Sequence, residues 1–340
     1  MPADRHGPRR TLILLATTIA LALLSMPAAA QTADLEVTPE MEEAVSNGLA
    51  WLAATQREDG GWPGQYGDVS GVVGLAMLAF LAHGDMPGEG EYGRVIDRAV
   101  DYIVSNQQQN GLLMGRGGGS AMYSHGFATL ALAEVYGSSD DPRVGPALKK
   151  AVGLIMEAQN QTGGWRYSVN SRDADTTVSG AQMVALRAAA QAGIEVPMNV
   201  VEDGVGFFKV CYCSGGGFGY TSSGGPNVAR SSIGLLVFSL SGHYRDPETR
   251  ETADWLIAHM GEAVQQDYYG YYGTYYGSQA MYQAGGRYWR QWNETVIPQI
   301  MAQQQADGSW TGQGQGPLLA TAFALLSLEV NYNFLPIYQR

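Results

Sequence analysis

The residues best able to do chemistry lie in one short stretch, Asp173-Ala174-Asp175-Thr176-Thr177, directly before an apolar run. Two carboxyls one residue apart disfavour each other's ionisation. Burial disfavours it further, so one of the pair can be held protonated as a general acid. Asp175 is the candidate proton donor and Asp173 its assistant. The competing reading is an ordinary Asp N-cap in front of Thr176-Thr177-Val178. His125 stands at the head of another apolar run and is a candidate acid or base, or simply a hydrogen-bonded histidine. Tyr268, Tyr269, Tyr271, Tyr272, Tyr275 and Tyr276 form a dense cluster. Their ring faces can steady a cation or stack on a sugar, or they fill space that a tryptophan fills elsewhere.

These residues have to be positioned by helices. A unit of about 50 residues recurs along the chain, a period typical of repeat architectures. Each unit has an amphipathic helix, a Gly-rich turn with an aromatic, and a nearly all-apolar helix. The clearest turns are Gln56 to Trp62, Gln159 to Trp165 and Gln305 to Trp310. Degenerate copies run from Gln109 to Leu113, from Gly215 to Tyr220 and from Tyr268 onward. The amphipathic helices are expected near 41–55, 92–108, 146–159, 199–210, 248–261 and 290–304. Their apolar partners are expected near 70–82, 125–136, 177–191, 229–241, 276–284 and 318–329. A helix apolar on every side must be enclosed on every side. Six half-exposed helices around six enclosed ones predict an all-α fold, an α6/α6 toroid. A linear solenoid is the rival, but the last unit ends in Leu325-Leu326-Ser327-Leu328 with no polar cap.

In such a toroid the inner helices run parallel, so their N-termini and dipole ends share one rim. Polar groups at the starts of the apolar runs then become candidate ligand contacts. They are Asp68, Tyr123, Thr176, Arg230, Tyr272, Tyr275, Tyr276 and Gln279, with Ser70, Ser124, Asn227 and Ser231 beside them. Arg287, Trp289, Arg290 and Trp292 read as surface and inter-pair packing.

The Gln-Gly-Trp turns resemble the QW motifs of squalene–hopene and oxidosqualene cyclases. The chain therefore resembles the terpenoid cyclase and protein prenyltransferase superfamily over roughly residues 41–335. The Asp173–Thr177 stretch is similar to the D-x-D-D-T acid motif of class II terpene cyclases. In one register Asp175 is the acid; in the other Ala174 occupies the acid's place. The resemblance implies an apolar or isoprenoid small molecule as partner. The zinc set of the prenyltransferases is not matched, since Lys209 stands where an Asp would precede Cys211. The Gly-Cys-Gly-Glu-Gln of thioester domains and a phosphate-binding loop are missing too. No metal site and no cofactor is expected.

Charged residues are 15% of the chain, and glycine numbers 45 of 340, nearly twice the usual share. Net charge is −12, and no Lys/Arg cluster offsets it, so nucleic acid is not expected as a partner. Arg9-Arg10, the apolar run from Thr11 to Leu24 and Ala28-Ala29-Ala30 read as a signal peptide over residues 1–30. A Sec-type signal fits better than a twin-arginine one, and the expected address is periplasmic or extracellular. Residues 31–40 form a short linker, 41–335 a single domain, and no span is expected after cleavage. Cys211 and Cys213 are either free thiols or a strained pair. Three functions follow. An exported, non-catalytic binding or scaffold module stands first, because the acid motif is degraded and the chain carries one toroid. A class II cyclase-like enzyme using Asp175 is the alternative. A polysaccharide lyase on the same toroid is the third.

Overall fold

The computed structural model describes residues 37–64, 69–115, 120–263 and 270–339. Asp68, Tyr268 and Tyr269 fall outside them, as do residues 1–30. Twelve α-helices alternate between two layers among the described residues. The outer helices are α1 (Pro39–Thr55), α3 (Gly93–Ser105), α5 (Val144–Ala158), α7 (Met198–Cys211), α9 (Pro247–His259) and α11 (Gly286–Met301). The inner ones are α2 (Ser70–His83), α4 (Ala121–Val135), α6 (Thr176–Gln191), α8 (Val228–Leu240), α10 (Gly270–Ala284) and α12 (Gly316–Leu328).

Each inner helix packs on the next, and α12 packs on α2. The inner ring is therefore closed, which decides against the solenoid. Composition explains the layering. In α2 every residue from Ser70 to Ala82 is buried, and only a second layer of helices can enclose such a cylinder. In α3 the buried positions are Gly93, Val95, Ile96, Ala99, Val100, Tyr102 and Ile103, a single stripe.

The Gln-Gly-Trp turns weld the repeats together. Gln159 Nε2 donates to Gly163 O of its own turn at 2.8 Å and to Val200 O in the first turn of α7 at 2.9 Å. Gln56 does the same with Gly60 O and Val95 O of α3, and Gln107 with Gly111 O and Ala147 O of α5. The glycine is required where the turn meets that neighbour. At Gly163, φ is +85° and a Cβ would lie 2.1 Å from Asp203 O. The tryptophan then inserts behind it. Trp62, Trp165 and Trp310 are fully buried, and each Nε1 donates to a main-chain carbonyl, of Leu52, Ile155 and Ile300 respectively. Truncating a tryptophan so enclosed costs about 3–5 kcal/mol. In the fourth repeat Tyr212 takes the glutamine's place, and its hydroxyl donates to Glu251 of α9. Cys211 and Cys213 in this turn are free thiols.

One element departs from the sequence expectation. The tyrosine-rich stretch from Tyr271 is not a turn: α10 starts at Gly270, not at 276. Tyr271 and Tyr275, and Tyr272 and Tyr276, are four residues apart, which puts each pair on one helical face. Gly277 in the same helix lies where a Cβ would meet Trp292 at 2.3 Å. Trp292, on α11, is fully buried and donates to Ser278 Oγ at 3.1 Å. So Trp292, not a tyrosine, fills the wedge of the fifth repeat.

After α12 the chain crosses the C-terminal mouth of the ring in two short 3-10 turns, Glu329–Tyr332 and Pro336–Tyr338. Gln283 Nε2 of α10 donates to Tyr338 O at 2.8 Å, and the Tyr338 and Tyr275 hydroxyls lie 3.1 Å apart. That leaves the N-terminal rim as the mouth this segment does not cover. No helix among the described residues is long and apolar enough to cross a membrane.

Candidate functional site

The turns preceding α6 and α8 each place a tyrosine two residues after their buried aromatic. Trp165 is followed by Tyr167, and Phe218 by Tyr220. Their hydroxyls hydrogen-bond to each other. Arg166 lies with its guanidinium 5.1 Å from the Tyr167 ring and 5.5 Å from the Tyr220 ring. Arg230, at the start of α8, approaches Tyr220 at 5.9 Å and donates to Gly225 O at 2.6 Å.

Asp175 sits beneath this rim, fully buried. It is the N-cap of α6, with Oδ1 accepting from Thr177 N at 2.9 Å, Val178 N at 2.9 Å and Thr177 Oγ1 at 2.6 Å. Oδ2 takes no hydrogen bond from the described residues but lies 3.6 Å from Arg166 Nε. Burial raises the Asp175 pKa, against the pull of the capping donors and Arg166. Asp173 is different. It is largely exposed and forms a 2.6 Å ion pair with Arg166 Nη1. The two carboxyls are thus both tied to one guanidinium, and only one of them is buried.

Below the rim an aromatic floor spans the ring. Tyr123 stacks on Phe127 at 6.4 Å and leans on Tyr167 at 6.2 Å. Phe127 of α4 meets Phe323 of α12 at 6.2 Å, and Tyr272 of α10 meets Phe323 at 5.7 Å and Tyr276 at 5.0 Å. Tyr275 closes the underside at 5.3 Å from Phe323. The Tyr272 hydroxyl reaches Thr177 O at 3.5 Å, linking α10 to α6 across the ring. Tyr123 also hydrogen-bonds toward Thr177, and burial raises its pKa. Tyr123 and Tyr272 therefore meet Thr177, whose own hydroxyl donates to Asp175 Oδ1. Together these rings form an aromatic cluster that reaches the surface at Tyr167 and is buried at Tyr276.

Three further sequence candidates are occupied within the fold. His125 is fully buried; its Nδ1 accepts from Leu113 N at 3.1 Å and its Nε2–H donates to Ala151 O at 3.0 Å. Both ring nitrogens are spent on main chain, and burial lowers the pKa to about 4. The same task falls to Ser179, Ser231 and Thr321, which accept from Trp165 N, Phe218 N and Trp310 N. His125 is the second repeat's version of that clasp. Thr176 Oγ1 donates to Gly219 O at 3.0 Å, joining two turns. Gln279 faces the C-terminal mouth, where its Nε2 donates to Leu326 O at 3.1 Å.

Sequence reasoning missed Arg166, Tyr167, Tyr220, Phe127 and Phe323. The tyrosine pair was legible in hindsight as Trp-x-Tyr and Phe-x-Tyr in consecutive turns. The phenylalanines carried no signal, since apolar residues in enclosed helices look alike.

Comparison with known proteins bears on this geometry. Residues 67–196 match the family model of the squalene–hopene cyclase C-terminal domain. That stretch contains two of the turns, His125 and the Asp173–Thr177 motif. The chain is a terpenoid-cyclase-like α/α toroid. It is 25% identical over 233 residues to squalene–hopene cyclase from Zymomonas mobilis, covering 58% of this chain and 34% of that protein. The toroid thus spans about a third of the length of that cyclase. Among solved structures, type II terpene cyclase MstE from Scytonema superposes with a TM-score of 0.60 at 14% identity, covering 88% of this chain and all of that one. An inactive variant of an α-1,6-mannanase from Salegentibacter superposes with a TM-score of 0.65 at 7% identity, covering 86% and 99%. At these identities the likeness is one of fold. Its breadth, from terpene cyclisation to mannan cleavage, shows that the cyclase-like toroid alone selects no reaction.

Proposed function

We propose that this toroid is a non-catalytic binding module that holds an apolar, isoprenoid-like small molecule in a cup formed by these aromatic rings at its N-terminal rim. The observation that carries this reading is the state of Asp175. Its Oδ1 is committed to capping α6, its Oδ2 faces Arg166, and Tyr123 and Tyr272 hydrogen-bond to Thr177 and not to the carboxyl. An acid that protonates an alkene must present a proton to the substrate. Here one carboxyl oxygen is spent on its own helix and the other is turned to Arg166. The cup itself suits an apolar partner, because ring faces offer dispersion and hydrophobic contact with few polar demands. Related folds support the ligand class: a variant of MstE was solved with geranylgeranyl dihydroxybenzoate bound. Export completes the proposal, with residues 1–30 as the signal that delivers the module to the periplasm or beyond.

The cyclase-like alternative keeps one observation in its favour. Burial raises the pKa of Asp175, as a proton donor requires. Incubation with geranylgeraniol and squalene separates the readings. A binding module melts at higher temperature with these compounds, loses the effect in Tyr167→Ala and Tyr272→Ala, and returns them unchanged by mass spectrometry. Cyclised product from wild type that disappears in Asp175→Asn overturns the binding reading.

A further inference from the structure

The opposite mouth of the ring holds buried oxygen atoms that the fold leaves unpaired. Glu329 caps the C-terminus of α12 and is 2% exposed, yet neither carboxyl oxygen takes a hydrogen bond from the described residues. Gln279 of α10 is equally buried. Its Nε2 donates to Leu326 O, which turns Oε1 the other way, and Oε1 also goes unpaired. Both side chains line one cavity, walled further by Ala82, Leu326, Leu335 and Tyr338. Its volume is about 10 Å³, space for a single sphere the size of a water molecule.

The surroundings are negative. α2 and α12 end beside the cavity, and helix C-termini carry partial negative charge. Asp85, bound to His83 Nδ1 at 2.8 Å, adds a carboxylate whose field reaches Glu329. Tyr332, from the same segment as Glu329, donates to the Glu42 carboxylate at 2.7 Å. No lysine or arginine among the described residues pairs with Glu329. A buried carboxylate without a counter-charge is expensive, and a structure neutralises it with a proton or a cation.

We propose that the Glu329–Gln279 cavity is a site for a monovalent alkali cation that fastens the C-terminal segment to the inner ring. The donors are hard oxygens, as alkali cations require. One carboxylate cancels one positive charge, whereas a divalent ion would be left half-compensated. No group of three His, Cys, Asp or Glu able to hold a metal ion forms among the described residues.

The test is the melting temperature of the full chain at fixed ionic strength, with sodium chloride exchanged for tetramethylammonium chloride. That cation is too large to enter. Melting temperature is expected to rise by roughly 2–3 °C for each tenfold increase in sodium above its dissociation constant. Glu329→Gln and Gln279→Met are both expected to lose the sodium response. If Glu329→Gln fails to fold, sodium-23 relaxation of wild type against Gln279→Met reads the same site. A wild type indifferent to sodium, with an infrared carboxylic-acid band assignable to Glu329, would overturn the proposal in favour of a proton. A shift produced by micromolar calcium and not by sodium would overturn it as well.

Discussion

Gln304, at the end of the last outer helix, donates its side-chain amide to the main-chain oxygen of Ala44, in the first outer helix, at 2.8 Å. The same amide bonds Gly308 O at 3.0 Å. This is the contact that Gln159 makes with Val200 and Gly163, repeated across a sequence separation of 260 residues. The seam between the chain's two ends is therefore built like every internal seam. Gln304→Ala is expected to cost about 1–3 kcal/mol, since it removes two hydrogen bonds to part-buried carbonyls. Gln159→Ala is expected to cost a similar amount. Urea unfolding checks both, and a silent Gln304→Ala beside a costly Gln159→Ala would show that the ring is not closed in solution.

The turn glycines make a second prediction by contrast within one repeat. Gly163 has φ +85° and no room for a Cβ beside Asp203 O, while Gly153 in α5 has nothing within 4 Å of the corresponding position. Gly153→Ala is expected to stabilise the protein by about 0.5–1 kcal/mol through helix propensity. Gly163→Ala is expected to destabilise it by several times as much, about 3 kcal/mol or more, because strain and a main-chain clash add. Thermal melts of the two variants side by side are sufficient.

His125 predicts a pH dependence whose sign is fixed. Its pKa is lowered from 6.5 to about 4 by burial. Between those values the unfolded chain binds a proton that the folded chain refuses. Stability is then intact above about 6.5 and is lost as pH falls toward 4, by about 3 kcal/mol at most from this residue. His125→Gln removes the titration. Unfolding free energies at pH 4.5 and 7 should differ less in the variant than in wild type. An equal difference in both would show that His125 is not enclosed as a neutral ring.

Asp175 is expected to behave as a helix cap. Asn is as good a cap, so Asp175→Asn should change stability by less than about 1 kcal/mol, whereas Asp175→Ala should cost about 1 kcal/mol or more. Ligand-induced shifts in melting temperature should survive Asp175→Asn. Loss of those shifts with stability unchanged would place the carboxylate in contact with the ligand.

Fold and function are written into the sequence to different extents. Local pattern alone determined the helices and their layering. Charge-free runs such as Gly71–Ala82 can exist in water only if surrounded, and glutamine, glycine and tryptophan recur because each turn meets the same neighbour in the same way. The stretch from Tyr271 departs from its local pattern for the complementary reason: a glycine- and tyrosine-rich composition resembles a turn, yet Gly277 leaves the space in a helix that Trp292 fills. The site was legible only as a set of residue types. Asp175, Asp173 and His125 are all where the sequence put them, at or near the starts of inner helices. Only the tertiary structure decided that Asp175 turns to its own helix, that Asp173 is exposed beside Arg166, and that His125 clasps Leu113 and Ala151. It alone placed Phe127 against Phe323 and Glu329 beside Gln279. Sequence spacing dictates which face of a helix a residue occupies. What that face meets depends on helices far away in the chain, brought close by closure of the ring.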